Sequence, residues 1–125
     1  MKIRYAAGLA LLLGAVLGAT ITSGLRAQGK ARAYAVIVVD EVTNGEAFKE
    51  VGPKSAAATA AAGGHYLVRT DTVIATEGPA PKRLVVIRFD SMDKLQAWNA
   101  SAAQTEVNSI RLKNAKSRQL FVEGM

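Results

Sequence analysis

The chain has no cysteine and only one histidine among its 125 residues. It therefore forms no disulfides and has no thiol chemistry, so its stability must come from packing. A zinc or copper site made only of protein ligands would need carboxylates at most of its positions. Asp40, Glu41, Asp71 and Glu77 do not have the spacing of a metal-binding loop. We therefore expect neither a metal nor a cofactor.

Aromatic residues are also scarce, at 6% of the chain, and they are not interleaved with the basic residues. The formal net charge is +6, but Lys2, Arg4 and Arg26 precede Gln28 without any acid, so the remainder carries +3. A mild and scattered excess of this kind lacks the basic patch of a nucleic-acid-binding protein. We expect no nucleic-acid partner.

The longest stretch without charge is Tyr5–Leu25, which follows two basic residues and ends in small ones. This arrangement is typical of a secretory signal peptide. We predict a leader over 1–27, cut before Gln28, a linker over 28–33 and a secreted or periplasmic domain over 34–125. A second cleavage site, after Ala33, fits the small-residue rule better but would cut directly before the first predicted strand.

An uncleaved membrane anchor is the alternative to cleavage, because the uncharged stretch is close to the roughly 20 residues that span a bilayer. Its strongly apolar part is short, however, which favours a cleaved leader. After cleavage we expect no contact with the membrane.

The remainder of the chain alternates between strand and helix patterns. Tyr34–Val39 is apolar and rich in β-branched residues, which predicts a strand buried on both faces. Thr43 and Glu46 have the spacing of a capping box, Gly52-Pro53 predicts a kink or break in the helix that follows, and Gly63-Gly64 predicts its end.

Three further strands and a second helical region follow. The predictions are strands over His65–Thr76, Leu84–Phe89 and Arg118–Val122, a helix capped by Asp90 or Ser91 that carries Met92, Leu95 and Trp98, and more helix over Asn99–Asn108. The order predicts an α+β fold of the ferredoxin-like, split βαβ type, with a four-stranded antiparallel sheet. Two helices cover only one face, so the apolar second face predicts a homodimer with sheets face to face.

Several short motifs, in this order, resemble those of the domain of unknown function 1330 family. They are Tyr34-Ala35-Val36, Phe48, Gly63-Gly64-His65-Tyr66-Leu67-Val68-Arg69, Glu77-Gly78, the strand to Phe89, Ala97-Trp98, Ser101, Arg111 and Val122-Glu123-Gly124. The resemblance implies a ferredoxin-like dimeric α+β barrel. The family has no generally assigned reaction, so it implies no catalytic residue. Where the family usually has an aromatic residue, this chain has Gln104 or Thr105, which implies a more polar cleft.

Six residues are candidates for a pocket between the helices and the sheet: His65, Tyr66, Arg69, Arg88, Trp98 and Arg111. Arg69 and Arg88 lie in apolar strands, so each should meet a carboxylate or a bound anion. Glu77 and Glu123 are the candidate ion-pair partners, within one chain or across a dimer. His65 either fills space or is an axial haem ligand, as in distantly similar barrels, and Trp98 is more typical of packing.

Three functions are compatible with these patterns. The first is an exported domain of unknown activity that binds a small molecule in the cleft. The second is an enzyme resembling cofactor-free oxygenases or isomerases, by analogy with similar dimeric barrels alone. The third is a structural envelope protein without a ligand. A pocket lined by the candidate residues favours the first two, and a filled cleft favours the third.

Overall fold

The computed structural model describes residues 31–125, so the predicted leader over 1–27 lies outside the described residues. Eight elements follow one another in the described part. They are β1 (Arg32–Val42), α1 (Gly45–Phe48), α2 (Val51–Ala61), β2 (His65–Thr70), β3 (Arg83–Phe89), α3 (Met92–Ala100), α4 (Ala102–Asn114) and β4 (Ala115–Gly124). None of the helices within 31–125 is long and apolar enough to cross a membrane. Because β1 begins at Arg32, the last two residues of the predicted linker belong to the sheet.

The four strands form one antiparallel sheet in the order β2-β3-β1-β4. This confirms the predicted α+β, ferredoxin-like fold. β1 and β3 occupy the two central positions, with Ala35 opposite Ile87 in the register. Both strands are hydrogen-bonded along both edges, so the alternation of burial along them reflects their faces alone: one face is buried and the other is half-buried.

Side chains alternate between the two faces of the sheet. On the face covered by the helices, Ala35 and Ile87 are fully buried. Phe89 packs there against Trp98 of α3, with ring centroids 5.0 Å apart. On the other face, Val36 and Val38 are half-buried. We call this second surface the open face.

The start of the first helical region differs from the prediction. Asn44, not Thr43, caps α1, because the Asn44 Oδ1 accepts a hydrogen bond from Ala47 N at 3.3 Å. Thr43 N instead donates to Asn114 O at 2.8 Å and ties this loop to the end of α4. The break between α1 and α2 precedes Pro53, which lies in the first turn of α2. Proline is tolerated there because that N–H would have no partner in the helix.

Other boundaries follow from pairing and capping. β2 ends at Thr70, not Thr76, because its pairing stops at Thr70 opposite Leu84, where β3 has only Arg83 left before its start. Gly63 has φ of 75° and ends α2 as predicted. Ser91 caps α3, with its Oγ accepting from Lys94 N. β4 is longer than predicted, and its ten residues pair along most of β1.

Candidate functional site

A cleft of about 380 Å³ lies between the sheet and helices α1, α2 and α4. Its apolar wall includes Ile37, Val39 and Val85 from the sheet, and Phe48 and Val107 from the helices. The volume is at the lower end of the range for small-molecule sites, and an apolar wall with a few polar groups is typical of them. The cleft is therefore open rather than filled by side chains.

Within the described residues, all of the charged side chains that line this cleft are basic: Lys49, Arg69, Arg83 and Arg111. Lys49 is paired with Glu46 at 2.9 Å, and Arg83 with Asp71 at 3.1 Å. Within residues 31–125, neither Arg69 nor Arg111 forms an ion pair. Two guanidinium charges in the cleft wall are therefore not neutralised by the described part of the chain.

Arg111 of α4 is only 5% exposed. Its Nη1 donates to Ser117 Oγ at 2.6 Å, and its Nη2 is 3.3 Å from both Asn108 Oδ1 and Gln119 Oε1. Nε has no partner among the described residues. Burial lowers the pKa of Arg111 below its ordinary value, but a guanidinium stays protonated in proteins. Arg111 is therefore a buried cation whose hydrogen-bond partners within 31–125 are all neutral groups.

Gln104, one turn before Val107 on α4, is 1% exposed and also lines the cleft. Its Nε2 donates to Asn108 Oδ1 at 3.1 Å, while its Oε1 has no partner among the described residues. Asn108 and Gln119 both donate to Asn99 Oδ1, which links α3, α4 and β4. An amide therefore occupies the cleft wall near where the family resemblance implies an aromatic side chain.

Tyr66 lies on the same side of the sheet. Its hydroxyl is 2.9 Å from Ser55 Oγ and 3.4 Å from Thr59 Oγ1, both on α2. The Arg69 guanidinium carbon lies 5.3 Å from the Tyr66 ring centroid, a distance that allows a cation–π interaction. The prediction from the sequence did not include this contact, although Ser55 and Thr59 are four residues apart in an alanine-rich segment, a spacing that places both on one helix face.

An ion pair joins the two longer helices of the cleft. Lys54 Nζ on α2 lies 2.6 Å from Glu106 Oε1 on α4. The hydrogen bond to Glu106 raises the pKa of Lys54 above its ordinary value. Because the pair is exposed, we assign it to alignment of α2 and α4 rather than to stability.

The structure does not bring all six candidate residues together. Tyr66, Arg69 and Arg111 line the cleft. His65 and Arg88 are cross-strand neighbours on the open face, where Arg88 is also opposite Tyr34 of β1. Trp98 is 1% exposed and packs in the core, beside a separate groove between α2 and α3. His65, Arg88 and Trp98 are thus outside the cleft, in contrast to the expectation from the sequence.

The two predicted carboxylate partners, Glu77 and Glu123, do not form the expected ion pairs within the described residues. Glu123 is opposite Ala33, whose side chain lies on the helix-covered face, whereas Arg88 lies on the open face. Glu77 lies exposed in the loop between β2 and β3. In the described part of the chain, neither acid forms an ion pair with an arginine. The same residues contain no cluster of three metal-ligating side chains.

The sheet order and the cleft define a ferredoxin-like α+β domain with one face of the sheet left open. Residues 32–125 match the family described as Domain of unknown function (DUF1330), and the chain belongs to this family. No curated protein matches the chain.

Solved structures of similar fold come from several bacteria. A protein of unknown function from Rhodopseudomonas palustris is 14% identical, with 85% of this chain and 92% of that chain covered and a TM-score of 0.64. A dimeric ferredoxin-like protein of unknown function from Thermobifida fusca is 11% identical, with 75% and 92% covered and a TM-score of 0.58. SnoaB, a cofactor-independent oxygenase from Streptomyces nogalater, is 14% identical, with 76% and 94% covered and a TM-score of 0.55. At these identities the likeness shows the fold alone.

Proposed function

We propose that this domain binds a small organic anion in the cleft between the helices and the sheet. The observation that carries the proposal is Arg111, a guanidinium that is 5% exposed, lines the cleft and has no carboxylate partner within 31–125. A buried charge without a counter-charge costs about 3–5 kcal/mol relative to a paired one. A carboxylate that enters the cleft supplies this counter-charge, and the planar guanidinium fits it well.

The cleft supports binding better than it supports catalysis. Among its lining residues as described, there is no imidazole and no carboxylate to act as a general base. The Tyr66 hydroxyl is already within hydrogen-bond distance of Ser55. A cofactor-free oxygenase, the activity stated for SnoaB, remains the second function to test because of the shared fold. The open cleft argues against a structural protein without a ligand.

The test is calorimetric titration of the protein with a panel of organic acids, with the methyl ester of each acid as a neutral control. We expect acids to bind and esters to bind at least about tenfold more weakly, because the ester loses the charge-assisted contact. Arg111→Met should abolish the preference for the acid, whereas Lys113→Met, at an exposed position on α4, should retain it. Equal binding of acids and esters by the unaltered protein would refute the proposal. Oxygen uptake with a bound acid would favour the oxygenase.

We propose further that the domain is a homodimer through its open face. Central residues of this face are apolar and only half-buried in one chain, with Val36 between Val86 and Leu120 in the register. Leu120 and Val122 are each 44% exposed. A second copy placed sheet to sheet would bury this surface by a two-fold contact. The dimeric Thermobifida fusca protein of the same fold supports the proposal.

The proposed location is outside the cytoplasm. The basic start, apolar middle and small-residue end of the segment 1–27 support export, with cleavage before Gln28. Cleavage after Ala33 would remove two residues of β1, which pairs from Arg32 onwards. The position of the strand therefore favours the earlier site, and an uncleaved anchor remains the alternative.

A further inference from the structure

We propose that the ligand is an organic diacid. Its second carboxylate is bound by Arg69 of β2, which lies beside the first turn of α2. This inference rests on the proposed function and names the ligand class for the same cleft. Arg111 binds one carboxylate from the buried side of the cleft. Arg69, which is exposed, binds the other nearer to solvent.

A β-bulge places Arg69 in the cleft. Strict alternation from Tyr66, which faces the helices, would put residue 69 on the open face. The register between β2 and β3 shifts after Tyr66, so that Val68 is opposite Val86 and Arg69 is opposite Val85. Val85 faces the cleft, and so does Arg69. Bulges of this kind re-aim side chains beside functional sites.

Arg69 also lies against the first turn of α2, whose residues contribute to the cleft wall. A Cβ added to Gly52 would be 3.0 Å from Arg69 Nη2. Glu50, at the N-cap of this 11-residue helix, makes no side-chain capping bond. Val51 and Gly52 both line the cleft. The N-terminal end of a helix favours anions, so an anion between Gly52 and the Arg69 guanidinium would interact favourably with both.

The unpaired positive charges in the cleft indicate how many negative charges the ligand carries. Lys49 and Arg83 are already paired, which leaves Arg69 and Arg111. The unpartnered Nε of the buried Arg111 is an independent indication that the same cavity takes an anionic ligand. Two separate guanidinium groups bordering an apolar wall match two carboxylates joined by an apolar chain.

The experiment titrates the protein with straight-chain diacids from succinate to sebacate, each beside the monoacid of the same length. At the best length, we expect the diacid to bind about five- to tenfold more tightly than its monoacid. Arg69→Gln should weaken the diacid much more than the monoacid and so remove this ratio. Lys113→Gln removes an exposed charge outside the cleft and should leave the ratio intact.

A second variant moves the guanidinium without removing its charge. Gly52→Ala puts a methyl group against Arg69 Nη2, the flexible end of that side chain, so the helix should still form. We expect this variant to lower the ratio while monoacid binding persists. A ratio of one for the unaltered protein at every length, or equal loss of both affinities in Arg69→Gln, would overturn the diacid assignment but not the anion-binding cleft. Failure of every acid to bind would overturn both.

Discussion

Replacing Val36 by lysine tests the open face most directly. Val36 lies on central strand β1, opposite Val86 on one side and Leu120 on the other. In a separate chain the new ammonium group can reach water, since none of the helices within 31–125 covers this face, and the expected loss of stability is within about 1 kcal/mol. In a sheet-to-sheet dimer the same group would be buried among apolar side chains without a counter-charge.

The expected effect on dimerisation is large because a two-fold interface contains each substitution twice. If the flexible lysine reaches part of the way to the rim, burial costs about 2 kcal/mol in each copy. The two copies together cost about 4 kcal/mol, which raises the dimer Kd by about a thousandfold. The two-fold symmetry therefore makes one substitution sufficient to separate the subunits at micromolar concentration.

Sedimentation velocity over a concentration series measures this change, and thermal melts verify that the variant is folded. Leu112→Lys is the matched control, because Leu112 is 65% exposed on α4 and the substitution adds the same charge away from the sheet. We expect the unaltered protein and Leu112→Lys to sediment as dimers, and Val36→Lys as a folded monomer. A dimer with unchanged Kd in Val36→Lys, or a monomeric unaltered protein, would refute the reasoning.

Three further outcomes are expected. Gly64→Ala should destabilise the fold by about 1–3 kcal/mol in denaturant titrations, because its Cβ would be 2.8 Å from Thr59 Cγ2 and 2.9 Å from the Phe89 ring. Gly45→Ala is the control and should be neutral or stabilising, because a Cβ there would have nothing within 4 Å. Arg88→Met should change the melting temperature little, since no carboxylate of the described chain is left unpaired; a loss of about 3–5 kcal/mol would instead indicate a partner acid from a second copy. Expressed in a Gram-negative host, the full chain should reach the periplasm and lose about 27 residues, and an intact mass on membrane-bound protein would support the anchor.

Local patterns were sufficient for the fold class. The apolar run Tyr34–Val39 and the strand ending at Phe89 identified the two central strands, and Gly63 and Ser91 marked helix boundaries that the structure confirms. Periodicity and capping depend on neighbours in the chain, so the sequence shows them directly. The predicted β2 was too long because its end depends on where β3 begins, and that is a property of the pairing.

The candidate site was only partly predictable. Arginine in an apolar strand predicted a carboxylate partner or a cleft, but it did not show on which face of the sheet each side chain lies. The bulge after Tyr66 sends Arg69 into the cleft, while Arg88 remains beside His65 on the open face. The position of a bulge depends on the register between two strands. A shift of one residue moves each following side chain to the other face of the sheet.

The sequence by itself determined the order of strands and helices, the apolar character of β1 and β3, and the absence of thiol chemistry, because each follows from residue type and local spacing. Only the tertiary structure decided that Arg111 is buried without a carboxylate partner among residues 31–125, that Gln104 lies in the cleft wall, and that Glu123 lies on the face opposite Arg88. These facts depend on which residues distant in sequence share one cavity. That sharing is set by strand register and by the packing of helices on the sheet, and both emerge only when the whole domain has folded.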